Sequence, residues 1–241
     1  MELAWIRNCS SSAVGNLIFN EGAAEQEDVQ FLWKRHDLNH FLNFNILILN
    51  IITNYNLWKG GTKLLKKIWL HFKLITKHRW IVFKLCTRAG LPWRGLIHDL
   101  SKYGPTEFWE SAKYYVGYKS PIQVAREKRQ YSAAWLHHKG HNKHHEEYWY
   151  DFNAPVKAPV IPYKYTIEML CDNLSAGMVY KGKDFTNDYP LWYWNNVKNK
   201  ELFHPKLINF FDDIFNEISN KGIKEVLNKR HLKEKYNKYC N

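Results

Sequence analysis

Trp135-Leu-His-His-Lys-Gly-His-Asn-Lys-His-His-Glu-Glu-Tyr-Trp149 packs His137, His138, His141, His144 and His145 into nine positions. The chain has 12 histidines in 241 residues, so an even scatter would place about half of one in that window. The clustering therefore needs a cause. A metal site built from neutral imidazoles, a solvated pH-sensing patch and a His-rich low-complexity tract compete. Aromatic residues flank the cluster instead of a polar tail, and a second histidine motif, His98-Asp99, lies upstream. Both features favour a buried or half-buried site.

Outward from this stretch the apolar spacing is helical. Leu64, Leu65, Ile68, Trp69, Phe72, Ile75, Ile81, Val82 and Leu85 recur every three or four residues, which predicts one or two amphipathic helices. Gly90 and Pro92 end that run. A further helix is expected from Trp93 through His98-Asp99 to about Tyr103, with its bend at Gly104-Pro105. Others are expected from Pro105 to Tyr115, from Gln123 to Lys139, with Gly140 closing it, and as a short helix or turn from His144 to Phe152. The prolines of 154–162 demand an extended connection. Helices then follow over Tyr163–Lys181, about Pro205–Asn220 and about Ile223–Tyr239. No period-two pattern appears, so the fold class is all-α.

Residues 1–62 differ in character and end at Gly60-Gly61, a plausible boundary. They are expected to form a less regular N-terminal extension to a helical domain spanning 63–241. His36-Asp37 and His40 in this extension imitate a metal motif, but no further ligand types gather round them. The most membrane-like stretch, Phe41 to Trp58, is interrupted by Asn43, Asn45, Asn50, Asn54 and Asn56. Burying that many amides in lipid is costly, so no transmembrane span is expected. Cys9, Cys86, Cys171 and Cys240 form no C-x-x-C pair, which argues against a disulfide framework or a cysteine zinc site. With no signal-peptide pattern at the N-terminus, the expected location is the cytoplasm. A net charge of +12 and a pI near 9.4 suit an anionic partner.

Two features carry metal chemistry. Adjacent helical residues diverge by about 100°, so His98 and Asp99 reach one ion only near a bend. Asp172, in the middle of an apolar helix, needs a compensating charge, which a metal ion supplies.

The order His78, His98-Asp99, then a later helical Asp172, with further histidines between, resembles the ligand order of the HD-domain metal-dependent phosphohydrolase superfamily. His98-Asp99-Leu100-Ser101-Lys102 is similar to the form in the branch with extra histidines, which includes HD-GYP-type phosphodiesterases and di-iron inositol oxygenases. More narrowly, Gly95 to Phe108 and Trp135 to Trp149 resemble a bacterial and phage family of unknown function, over roughly residues 65–225. His141 departs from that family, which more often has Arg there, and Gly104 stands where it has Ser.

The resemblance implies an HD-domain-like helical bundle with His78, His98, Asp99 and Asp172 around one metal, and Asp99 bridging to a second. The second metal's ligands would come from His137 or His138 and from His144 or His145, with one ring of each doublet on the metal and its neighbour on substrate or a hydrogen bond. His138 is preferred to His137, while His144 and His145 are not separated. The expected cofactor is one or two divalent transition-metal ions (Fe, Mn, Zn or Ni). A metal pair would lower the pKa of a bridging water to near neutrality for attack on phosphorus. Lys102 would steady a phosphate oxygen, and Glu147 would act as a base or orient a histidine. His137, His141, Arg94, Lys139 and Lys143 would face a nucleotide or other small phosphate ester. The alternatives are a di-iron oxygenase and a non-catalytic, metal-stabilised protein with a basic surface for nucleic acid.

Overall fold

A computed structural model describes residues 63–241. The extension expected over residues 1–62, with His36, Asp37 and His40, lies outside the described residues. Among the described residues the fold is all-α, with no strand.

Helix α1 (Lys63–Arg88) is continuous and buries Ile68, His71, Ile75, His78, Val82 and Leu85 along one stripe. The three- and four-residue spacing puts two histidines on the face that the core would otherwise claim. Gly90, at φ +82°, turns the chain, and Pro92 opens α2 (Pro92–Ile97). A Cβ at Gly95 would come within 2.8 Å of the Phe83 backbone and the Cys86 side chain, so α2 lies closely against α1.

The expected helix through His98-Asp99 does not continue. His98 adopts an extended backbone and Asp99 a left-handed one at φ 52°. A single-turn 3-10 helix, Leu100–Tyr103, follows before α3 (Pro105–Tyr114). The bend expected at Gly104-Pro105 thus falls at Asp99 itself, and Asp is among the few residues that tolerate this region.

The helix expected over Gln123–Lys139 is also two helices, α4 (Pro121–Arg129) and α5 (Ala133–His141), parted at Gln130, φ 68°. The Ser132 hydroxyl accepts from Trp135 N at 3.1 Å. Glu110 of α3 accepts from Ser132 Oγ, Ala133 N and Ala134 N. These acceptors satisfy the free amides of a new helix start. Gly140 lies inside α5 instead of closing it.

Next come α6 (Glu146–Trp149) and α7 (Tyr163–Lys181); the connection between them, expected to be extended, instead turns and bends over 152–158, where Asp151 N donates to the Lys157 carbonyl, and only 159–162 run without a turn. Helix α8 (Tyr189–Asn196) had no clear signal in the spacing. The last three are α9 (Pro205–Lys221), α10 (Ile223–Val226) and α11 (Lys229–Cys240), the final expected helix being split at Leu227-Asn228.

The apolar core joins Val82 and Cys86 of α1, Ile167, Leu170 and Leu174 of α7, Trp194 of α8, Leu207, Phe210, Phe211, Ile214 and Phe215 of α9, and Leu232 of α11. Burying each such side chain contributes roughly 1.5–3 kcal/mol. Cys86, Cys171 and Cys240 are buried free thiols. No helix among the described residues is long and apolar enough to cross a membrane.

Candidate metal centre

Asp99 is the point of convergence. Its side chain is fully buried, and its two oxygens face two different sets of imidazoles. Oδ2 lies 3.2 Å from His98 Nε2 and 3.6 Å from His78 Nε2. Oδ1 lies 3.3 Å from both His138 Nε2 and His144 Nε2. Asp172 Oδ1 completes the first set, 3.0 Å from His78 Nε2 and 3.5 Å from His98 Nε2. His145 completes the second. His78, His98, Asp99 and Asp172 form one quartet of donors, and Asp99, His138, His144 and His145 another; within each, all donor atoms lie within 4.8 Å of one another.

Local conformation explains the convergence. His78 comes from the buried stripe of α1. The left-handed turn at Asp99, which costs roughly 1–3 kcal/mol for a non-glycine residue, removes the angular conflict between His98 and its neighbour. His144 and His145 need not diverge as helical neighbours do, because His145 is the extended residue capping α6. His138 faces inward from α5. His137 does not: it is partly exposed, with Nδ1 2.7 Å from Glu107 Oε1.

The unmet polar atoms show what the centre lacks. Nε2 of His138, His144 and His145 is buried without a hydrogen-bond partner. Neither Asp99 oxygen accepts a well-directed hydrogen bond, although the Lys102 ammonium lies 2.5 Å from Oδ2. Leaving several such groups unmet at one point is costly. Meanwhile the Nδ1 atoms are occupied. His98 Nδ1 faces Glu168 Oε1 at 3.0 Å, His138 Nδ1 faces Glu107 Oε2 at 2.7 Å, and His78 Nδ1 faces the Ser175 hydroxyl at 3.1 Å. Anchoring Nδ1–H in this way leaves Nε2 as the lone-pair donor, the arrangement in which histidine binds metal.

Charge points the same way. Asp99, Asp172, Glu107 and Glu168 bring four carboxylates, against which Lys102 and Arg94 supply two fixed cations. Burial alone would raise the Asp99 pKa, but His98, Lys102 and His138 hold it well below the ordinary carboxylate range. Asp172 is likewise depressed against its burial, by His78 and His98. Glu107 is held down to about 2 by His137 and His138. His98 is raised despite burial by Asp99, Asp172 and Glu168. His144 is raised to about 9, Glu168 and Asp99 outweighing burial and the neighbouring His98. A divalent cation at either quartet would take over the compensating role of those imidazolium protons. The donor set, all nitrogen and oxygen, suits a transition metal.

The quartets border a cavity of about 550 Å³, whose lining includes His78, Lys102, His138, His145 and Asp172 together with Tyr180, Lys181 and Tyr189. Lys139 and Glu147 line a second cavity, of about 560 Å³, with Arg126 and Tyr150; Trp135 borders both. Glu147 sits beside Glu146 and His145, and burial, then Glu146, raises its pKa.

None of the five residues expected to face substrate lines the cavity beside the quartets: His137 is turned to Glu107, Lys139 lies on the second cavity, and the other three stand elsewhere. Arg94 gives two bonds to Glu168 Oε2, at 2.8 and 2.6 Å, and lies over the Tyr165 ring, so its charge is committed behind the centre. Exposed His141 stacks on His137 and donates Nδ1–H to the His137 carbonyl. Lys143 lies over Tyr165.

Two carboxylates were missed in the sequence, Glu107 and Glu168. Glu168 stands one helical turn before Asp172 in an apolar run, and that spacing was the available signal.

Neither curated proteins nor solved structures gave a match. The model of one family, described as a family of unknown function (DUF5662), matches residues 67–217. That span runs from α1 through α9 and takes in both quartets with Glu107, Glu168 and Ser175 behind them, so the chain belongs to the DUF5662 family.

Proposed function

We propose that the protein is a metal-dependent phosphohydrolase of the HD-domain type, acting on a nucleotide or another small phosphate ester. The observation that carries this reading is the two-sided Asp99, with one oxygen toward His78, His98 and Asp172 and the other toward His138, His144 and His145. His78, His98, Asp99 and Asp172 would hold one ion, and Asp99 with His138, His144 and His145 a second. Bound metal supplies Lewis acidity and an acidified water.

The chain's own residues do the rest. Lys102, at the junction of Asp99 and the cavity, offers an ammonium to a phosphate oxygen. Burial would lower its pKa, but Asp99 and Asp172 raise it instead, so it stays charged throughout the physiological range. Asp172 is the donor most open to the cavity, at 17% side-chain exposure, and the tyrosines of its lining, Tyr180 and Tyr189, offer flat surfaces to the organic part of an ester.

The test is elemental analysis of protein purified without a histidine tag, with a screen on aryl phosphates, phosphodiesters and nucleotides. Expected are one or two transition-metal ions per chain and hydrolysis, read as phosphate from monoesters or as the freed alcohol from diesters, that Asp99→Asn abolishes. Full metal occupancy with no hydrolysis of any substrate would overturn the reading. Oxygen consumption by the ferrous protein would then point to an oxygenase. Salt-dependent retention on RNA or DNA, unaffected by His98→Ala, would point to a binding protein.

A further inference from the structure

We propose that Glu168 is the positioning residue that makes the two halves of the centre load with metal as one unit. The inference rests on the two-metal reading above and adds how the halves communicate.

Each imidazole set has partners behind it, but these differ in reach. Ser175 meets His78 alone within the quartets. Glu107 meets His138 of the second quartet, its other oxygen being spent on His137 outside both. Glu168 alone among these reaches both quartets, and does so with one atom: Oε1 lies 3.0 Å from His98 Nδ1 and 3.4 Å from His144 Nδ1. The two rings lie in contact, tilted by 43° with centroids 4.4 Å apart.

The carboxylate has little freedom to serve one ring without the other. Its side chain is 1% exposed, and Oε2 takes both Arg94 bonds. The guanidinium is in turn seated over Tyr165, 4.7 Å from the ring centroid. Two donors from a ring-stacked arginine, both on the one oxygen Oε2, hold an orientation and not only a charge. An ion that fixes His98 therefore fixes Oε1, and with it the direction of His144 Nε2. The second ion meets a ligand already ordered and binds more tightly for that reason. Asp99 joins the halves directly, and Glu168 joins them from behind.

The test is titration of the metal-stripped full chain with Co²⁺, followed by calorimetry and by visible absorption, which reads out ligand geometry independently of catalysis. The wild type should take two ions in one cooperative step. Glu107→Gln should retain one tight ion and bind the other about 10–100-fold more weakly, the usual cost of losing a partner behind a ligand. Glu168→Gln should weaken both by about that factor and abolish cooperativity. If Glu168→Gln does not fold, Arg94→Lys, which keeps the charge but not the fork, should still weaken both ions in parallel. Retention of one ion at wild-type affinity in Glu168→Gln or in Arg94→Lys would overturn the inference while leaving the site standing. So would a wild type that binds only one ion. A wild type that binds none overturns the site itself.

Discussion

Helix α7 presents two faces to two different interiors. Ile167, Leu170, Cys171 and Leu174 point into the apolar core, against α1, α9 and α11, and are fully buried. Glu168, Asp172 and Ser175, each one position along from a core residue, point at the imidazoles instead. The apolar side is complete in itself, with Phe211 and Phe215 of α9 against Trp194 and Phe210 against Phe211. The polar side is not, since buried nitrogens and a buried carboxylate aim at points where the protein supplies no partner. One helix can thus anchor a site that is unfavourable alone, because its opposite face is held by ordinary hydrophobic burial.

The comparison breaks most easily on the apolar side. Phe211→Ala, which opens a cavity in a fully closed aromatic cluster, should cost about 3–5 kcal/mol. Chemical denaturation should show that loss equally with and without metal; dependence on metal would mean the two interiors are not separable.

On the polar side, removing metal with a chelator should lower stability by about 2.7 kcal/mol if metal had stood at a hundredfold excess over its dissociation constant. Asp99→Asn should erase the difference between chelated and loaded protein. A chelation effect surviving in Asp99→Asn, read by thermal unfolding, would place the metal elsewhere.

Gly95→Ala tests where the two interiors meet. The added methyl would press on the Phe83 backbone, and overpacking of this kind costs about 1–3 kcal/mol. Because Arg94 is adjacent, metal affinity should fall along with stability.

The smallest effect is expected far from the centre. Asp213 and Glu217 of α9 face Lys235 of α11 at 2.7 and 2.8 Å, and His231 also meets Glu217. Burial would raise both carboxyl pKa values, but Lys235 and these hydrogen bonds lower them. A depressed folded-state pKa gives stability that is present above the unfolded value and lost as pH falls through the folded one. Glu217→Gln should therefore be less stable than wild type at pH 6 by no more than about 1 kcal/mol. The two should converge as pH falls below the depressed folded-state pKa of Glu217, as read from urea midpoints.

The sequence disclosed these two interiors unequally. The stripe on α1 and the run on α7 announced helices through their spacing, and the histidine cluster with His98-Asp99 announced the centre, because imidazoles are scarce enough for their grouping to stand out. Glu107 and Glu168 were not legible in the same way. A lone glutamate at a helical position looks like a solvated face, and only tertiary packing turns it inward. The breaks at Asp99 and Gln130 were hidden for a related reason: neither residue is a glycine or proline, the two types that mark a break in sequence, although both take the left-handed conformation. Arg94 looked like a free cation because its partner lies 74 residues on.

The tight seating of α2 at Gly95 bears on any attempt to rebuild this centre in a new scaffold. Grafting the seven donor residues, three on helices and four on the breaks between them, would not be enough. Without a position bare of side chain where α2 crosses α1, the arginine one step earlier would stand too far out to grip its glutamate. The transplant would then have correct ligands and no backing to aim them.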